Sequence, residues 1–251
     1  MRNTQEETIL YGVNTLSVLL DHSPERIKRI LYIKKQKSGA RESLIERANK
    51  LGLELVPAKE RQLNHYLPNT QHQGLMAFVS PKPLIAWHRL IESHQSQLLV
   101  AADQVTDPRN FGAILRSAEA FGVEGALITS NRCARPGPTV ARTSAGASEL
   151  IPIAMETNLS ASLEAAQSAG YQVVGAAMSG KPLSQIDWEK PTVVVIGAEG
   201  RGLREKTMSR CDELVSIPMA GQTESLNASV AASILFYEAT RHRHASSQAD
   251  H

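Results

Sequence analysis

Three short stretches of this 251-residue chain place polar side chains where a reaction could use them. The first, Asp103-Gln-Val-Thr-Asp-Pro-Arg-Asn-Phe-Gly112, runs into a helical pattern that carries Arg116. A carboxamide such as Asn110 can orient a substrate, and a guanidinium such as Arg116 can grip a phosphate or steady an oxyanion. The second, Val193-Val-Val-Ile-Gly-Ala-Glu-Gly-Arg-Gly202, is a strand followed by three glycines with Glu199 among them. Its spacing is GxxGxG, which is not the GxGxxG of dinucleotide folds, and no GxxxxGK[ST] occurs to cradle a triphosphate. The third, Ile217-Pro-Met-Ala-Gly-Gln-Thr-Glu-Ser-Leu-Asn227, leads into the last helix, with Ser225 expected as its N-cap and Asn227 in its first turn. Taken singly, each stretch has a plain structural explanation: a cap, a glycine turn, a surface arginine.

The elements around them follow from periodicity. Residues 98–102 (LLVAA), 126–129, 172–176, 193–196 (VVVI) and 214–217 read as strands, with a further short one near 150–153. Helical patterns at 112–121, 159–169, 203–210 and 226 to about 241 alternate with them. Strands that are apolar on both faces and separated by helices predict a parallel sheet covered on both sides. Ligands of such a sheet sit beyond the carboxyl ends of its strands, where the three stretches fall. Before it, helical 12–20, 42–51 and 60–67 alternate with extended 29–33, 53–56 and 75–79, which predicts a small α/β layer. Residues 80–97 open on Ser-Pro-Lys-Pro, with 84–91 as one helical turn, and the tail after Arg243 is polar. The expected organisation is therefore a first domain over 1–79, a linker over 80–97, a second domain over 98–243, and a flexible tail over 244–251. Within the second domain, 130–149 reads as an irregular stretch rich in arginine, proline and glycine.

Composition is that of an ordinary globular protein, 42% hydrophobic and 21% charged, so collagen-like and wholly disordered readings fall away. Cys133 and Cys211 stand far apart with no CxxC, which argues against a disulfide scaffold or a cysteine zinc site, and no metal is expected. No apolar run approaches the ~20 residues that span a bilayer, and the N-terminus lacks an apolar signal core. A soluble cytoplasmic protein without a membrane partner is the expectation. The net charge of +2 hides a split. Residues 1–90 hold 14 Lys and Arg against 8 Asp and Glu, and the remainder holds 13 against 17. Arg26, Lys28, Arg29, Lys34, Lys35, Lys37 and Arg41 crowd into 16 positions, a candidate polyanion-binding face. Aromatic residues are only 4% of the chain, so extensive base stacking is not expected.

Taken together and in order, VTDPRNFGAILRSAEAFG, VVVIGAEGRGL and SIPMAGQTESLNASVA resemble motifs one to three of the SpoU (TrmH-type) methyltransferases of the SPOUT class. The resemblance covers roughly 98–243, and YGVNTLSVLL and HQGLMAFV resemble the small substrate-binding domain that precedes the catalytic domain in rRNA-modifying members. It implies a parallel α/β domain with a C-terminal trefoil knot, which pattern reasoning alone would not propose. It also implies an S-adenosylmethionine donor, methylation of a ribose 2′-hydroxyl on a guanosine of 23S rRNA, and a homodimer. By position, the cofactor pocket falls on Gly197, Ile217 and Leu226, with Met219 and Gly221 added. The polar catalytic set falls on Asn110, Arg116, Glu199, Ser225 and Asn227. Gln104 stands where the family usually has glycine, and Ala228 where it usually has valine. The same chemistry on tRNA is the alternative within the family. A nucleotide-dependent oxidoreductase and a non-catalytic RNA-binding protein are the rivals outside it.

Proton removal is open at this stage. Histidine is the usual base, yet none lies between His94 and His242. The family's proposed base is Arg116, whose guanidinium ordinarily holds its proton above about 12. Gripping a phosphate or stabilising a developing alkoxide is the competing role.

Overall fold

A computed structural model describes residues 7–34, 39–92, 97–223 and 225–249, with the side chains of 244–249 left out. The chain forms two compact units, and the division in space is not a single cut in sequence. The first unit takes residues 1–83 together with 136–150, and the second takes 84–135 and 151–251.

In the first unit the opening elements are β1 (Thr8–Tyr11), α1 (Val13–His22), β2 (Ile27–Tyr32), α2 (Gly39–Lys50), β3 (Leu55–Pro57), α3 (Glu60–Tyr66) and β4 (Leu75–Val79). The second unit begins with α4 (Trp87–Ile91), β5 (Leu98–Asp103), α5 (Pro108–Ala120) and β6 (Gly125–Thr129). Helices α6 (Pro138–Thr143) and α7 (Ala147–Leu150) return to the first unit. The chain ends in the second with β7 (Ile153–Glu156), α8 (Leu159–Ser168), β8 (Gln172–Pro182), β9 (Thr192–Gly197), α9 (Glu205–Met208), β10 (Glu213–Ser216) and α10 (Ala228–Ala249).

The first unit is a four-stranded mixed sheet in the order β1-β4-β2-β3, with only the β2–β3 pair parallel. Its core joins Leu10, Leu16, Leu19, Ile30, Leu44 and Leu75 to Ala141 of α6. The Thr15 hydroxyl donates to the Ala141 carbonyl in the interior, and Gly146, at φ +97, lets the backbone before α7 pass against Val18. Half-buried Arg26 donates to Glu149 of α7 at 2.6 Å and to the Ser80 carbonyl. Residues 136–150 therefore differ from the irregular stretch of the second domain that their composition predicts. Their prolines and glycines start and separate two short helices that complete the first core.

The second unit holds a six-stranded sheet, β10-β8-β9-β5-β6-β7, in which every pairing is parallel. That is the expected parallel α/β domain. All six residues of β5 and of β9 are buried, as central strands covered on both faces must be. Asp107 caps α5 by accepting from the Arg109 N–H at 2.8 Å, with Pro108 in the first helical position. Segment 80–97 behaves differently from the expected linker. In its second half Trp87, Leu90 and Ile91 of α4 are buried in the second core, and the Trp87 ring donates to the Ser162 carbonyl at 2.9 Å. Apolar side chains at positions 87, 90 and 91 bind that turn to α8 and β7 and anchor it in the second core. Helix α10 continues through Ala249, past the end expected near 241. Among the described residues, no helix is long and apolar enough to cross a membrane.

Candidate functional site

Strand order reverses between β5 and β9: from β5 the chain steps outward through β6 to β7, then returns to the other side for β8 and β9. Loops leaving two such neighbouring strands diverge and open a crevice at their carboxyl ends. The first two polar stretches leave those strands, and the third reaches the same place ahead of α10.

A chain of side-chain hydrogen bonds ties the three together. Asn227 accepts on Oδ1 from the Ser229 N–H at 2.9 Å and from its hydroxyl at 2.6 Å. That fixes the amide, so Asn227 Nδ2 donates to Asn110 Oδ1 at 3.0 Å. Asn110 in turn donates through Nδ2 to Glu199 Oε2 at 2.7 Å. Each carboxamide is oriented by the one before it, and the relay ends on a carboxylate. Asn227, not Ser225, is the N-cap of α10, because its Oδ1 holds the second N–H of the helix. Ser225 is exposed and lies two residues before the cap, on the rim of the cavity described next.

Beside the relay, a cavity of about 380 Å³ opens between the middle of β8 and the end of β9. Backbone of the 197–202 loop forms one wall, and Met178, Leu203, Met208, Val215 and Ile217 supply an apolar lining. The glycines are structural here. The loop closes on itself through Ala198 and Gly202, which exchange hydrogen bonds of 3.1 and 2.8 Å. A Cβ at Gly197 would collide with the Gly202 backbone, so only glycine lets strand and loop approach this closely. Of the residues expected to hold a cofactor, Gly197, Ile217, Met219 and Leu226 line the cavity. Gly221 does not: it is exposed, and no described residue lies within 4 Å of where its side chain would start.

Arg116 takes no part in the relay. It is exposed on α5 and makes no hydrogen bond or ion pair with any described residue, so neither Asn110, Asn227 nor Glu199 orients it directly. Two further features escape sequence reading. Asp103, fully buried at the end of β5, accepts from the Arg204 N–H at 3.0 Å and from its guanidinium at 2.7 Å. This pair clamps the loops after β5 and β9, and its signal is an aspartate closing an otherwise apolar strand. The second half of β8 contributes Ala176 to Ser179 to the cavity, beyond the strand end expected at 176. Cys211 has no chemical role to fill. Burial, aided by Asp212 and Asp103, pushes its thiol up to about 12, and the thiol donates to the Thr207 carbonyl.

The basic run of the first unit is mostly engaged internally. Arg41 is 3% exposed and donates to the Ile33 carbonyl, so it is a core residue and cannot meet a polyanion. Arg26 is paired with Glu149, while Lys28 and Arg29 both face Glu7, and Arg29 lies over the Phe78 ring. Lys34 is exposed and unpaired among the described residues. Lys35 and Lys37 fall outside the described residues.

The fold and the glycine-walled crevice define a parallel α/β ligand-binding domain preceded by a mixed-sheet unit. Residues 97–237 match the SpoU rRNA methylase family, and residues 9–84 match the substrate-binding domain of RNA 2′-O ribose methyltransferases. The chain belongs to the SpoU rRNA methylase family. It is 38% identical over 239 residues to the 23S rRNA (guanosine-2′-O-)-methyltransferase RlmB of Pseudomonas aeruginosa, covering 93% of this chain and 96% of that one. Identity to the RlmB of Coxiella burnetii is also 38%, over 94% and 96% of the two chains. Among solved structures, the SpoU methyltransferase AviRb from Streptomyces viridochromogenes in complex with the cofactor AdoMet superposes with a TM-score of 0.78. It is 28% identical and spans 94% of this chain and 90% of that one.

Proposed function

We infer that this protein methylates the ribose 2′-hydroxyl of a guanosine in 23S rRNA, using S-adenosylmethionine. The observation that carries the reading is the amide relay joining all three motif loops beside an apolar, backbone-walled cavity. Full-length likeness to two 23S rRNA guanosine methyltransferases supports the choice of RNA. The residues fit the cofactor: about 380 Å³ lies within the range of small-molecule sites. Apolar Met219, Ile217 and Leu226 suit an adenosyl group, and among the described residues Glu199 is the one carboxylate on the lining to answer a cationic sulfonium. When bound, the cofactor supplies a methyl group activated for displacement by an oxygen nucleophile.

The protein's part is alignment and charge. Holding the ribose oxygen in line can lower the barrier by up to roughly 7–11 kcal/mol in well-oriented systems. Asn110 and Asn227 are pre-set by Ser229 and by Glu199, so their amides need no reorganisation when RNA arrives. Arg116, exposed and unpaired, is free to meet the reacting ribose or its phosphate. Because a guanidinium ordinarily keeps its proton, we assign it stabilisation of the developing alkoxide, whose proton passes to solvent water at this exposed position. Gly197, Ile217, Met219 and Leu226 hold the cofactor, and Ser225 sits on the rim of the cavity where the substrate enters. In this reading residues 1–79 carry the RNA-binding domain and 98–243 the catalytic domain with its trefoil knot. The protein acts as a cytoplasmic homodimer. Val230 and Tyr237, 46% and 54% exposed and two turns apart on α10, favour a second copy there.

Transfer of tritiated methyl to 23S rRNA by the wild type, with loss in Arg116→Ala and Glu199→Ala, tests the assignment. Near-wild-type rates in both variants would overturn the site. Mapping 2′-O-methyl groups in total RNA with and without the protein identifies the nucleotide, and a site found only in tRNA would overturn the choice of rRNA.

A further inference from the structure

A second concave site lies at the carboxyl ends of β5, β6 and β7. It encloses about 240 Å³ and is lined by Gln104, Thr129, Asn131, Arg132, Arg204 and Lys206, and by 157–160 at the start of α8. Three cationic side chains face it and, among the described residues, no acidic one does. Arg132 and Lys206 are exposed and form no ion pair with any described residue. Arg204 is held in place by Asp103, which takes its Nε and one terminal nitrogen and leaves the other without a partner among the described residues. Ser160, only 8% exposed, also lines the site, and its hydroxyl has no hydrogen-bond partner among the described residues. That hydroxyl is left open to the pocket and can donate to a group entering it. Ser160 stands in the first turn of α8, whose N–H groups and dipole favour an anion. Gln104 at φ 61 and Arg132 at φ 58 are the non-glycine residues of the second unit, among those described, with left-handed backbone, and both border this site.

We propose that this pocket binds a backbone phosphate of the substrate RNA, on a nucleotide neighbouring the one that is methylated. The inference rests on the RNA methyltransferase reading above and extends it to how the strand is held. The loop after β9 serves both sites in turn: 199–203 wall the cofactor cavity, while 204 and 206 reach the anion pocket. The two sites are centred two to three strands apart, about 12 Å at the spacing of neighbouring strands. That offset places the gripped phosphate away from the target ribose while leaving both on one edge of the sheet.

The test uses the full-length protein, S-adenosylmethionine and transcribed 23S rRNA, comparing wild type with the Arg132→Gly/Lys206→Ala variant. Glycine suits the left-handed backbone at 132, so the fold should hold, and an unchanged or raised melting temperature verifies it. Removing one phosphate-binding cation lowers the slope of log affinity against log salt by about 0.7–0.9. Expected for the variant are a salt slope reduced by more than about 1, about tenfold weaker RNA binding and a raised KM for RNA. The value of kcat at saturating RNA and the affinity for S-adenosylmethionine should stay within twofold. Unchanged RNA affinity and salt slope would overturn the proposal, including the case in which the pocket takes only inorganic phosphate. Absence of methyl transfer by the wild type would overturn the enzymatic reading instead, and the salt slopes would still decide the pocket.

Discussion

One set of cations in each unit makes an instructive contrast. In the first unit Arg26, Arg29 and Arg41 are engaged by their own chain: a buried glutamate, an exposed one with an aromatic ring, and, for one nitrogen of Arg41, a backbone carbonyl. In the second, Arg116, Arg132 and Lys206 stand exposed with no partner among the described residues. The first unit belongs to the more basic stretch of sequence, yet these three of its arginines are engaged internally while Arg132 and Lys206 of the second stand open beside a cavity. Formal charge counts side chains, whereas a polyanion meets only those whose donors are still available.

This contrast predicts that unpaired cations govern substrate and paired ones govern stability. The largest effect should come from Arg116→Ala, with methyl transfer reduced about 10²–10⁴-fold and the melting temperature unchanged. Arg116→Lys, which keeps a point charge but loses the planar fork, should recover only part of it. Next, Glu149→Ala strands Arg26 in the interior. Urea unfolding should show a loss of about 3–5 kcal/mol in the first unit, with no change in the affinity of S-adenosylmethionine. A stability loss below about 1 kcal/mol would mean that Arg26 finds water and is not committed to the fold.

Lys82 sharpens the same point through pH. Burial lowers its ammonium from 10.5 to about 8, with Glu149 opposing and Arg26 adding to the shift. Unfolding therefore takes up a proton between pH 8 and 10.5, and stability should rise with pH across that window. Below about pH 8 both states are charged and the penalty is constant. Urea titrations at pH 7.5 and 9.5 measure the rise, which Lys82→Met should abolish. The smallest effect belongs to Gln104→Gly. Left-handed backbone at φ 61 costs a non-glycine residue about 1–3 kcal/mol, against roughly 0.5–1 for the entropy of glycine. A net gain of about 1 kcal/mol should appear as a higher melting temperature.

The three loops are legible in the sequence because their residue types, order and place after strands all point to one edge of a parallel sheet. Gln104 stands where the family usually has glycine, and its positive φ explains that glycine. What stays hidden depends on partners distant along the chain. Arg41 reads like its basic neighbours until tertiary packing buries it under the first sheet. Ser225 and Asn227 are both good caps by type, and only the path of the chain selects Asn227. Residues 136–150 resist prediction because proline and glycine interrupt the periodicity of helices only six and four residues long.

The return of α6 and α7 to the first unit has a consequence for synthesis. A ribosome releases residues 1–83 well before 136–150, so the N-terminal sheet emerges without Ala141 to close its core or Glu149 to neutralise Arg26. At about 5–20 residues per second the wait is several seconds. During that interval the nascent chain carries an unfinished apolar face and a charge that has no counterpart yet. The two units are consequently linked in time as well as in sequence, because the first cannot finish folding until part of the second has been made.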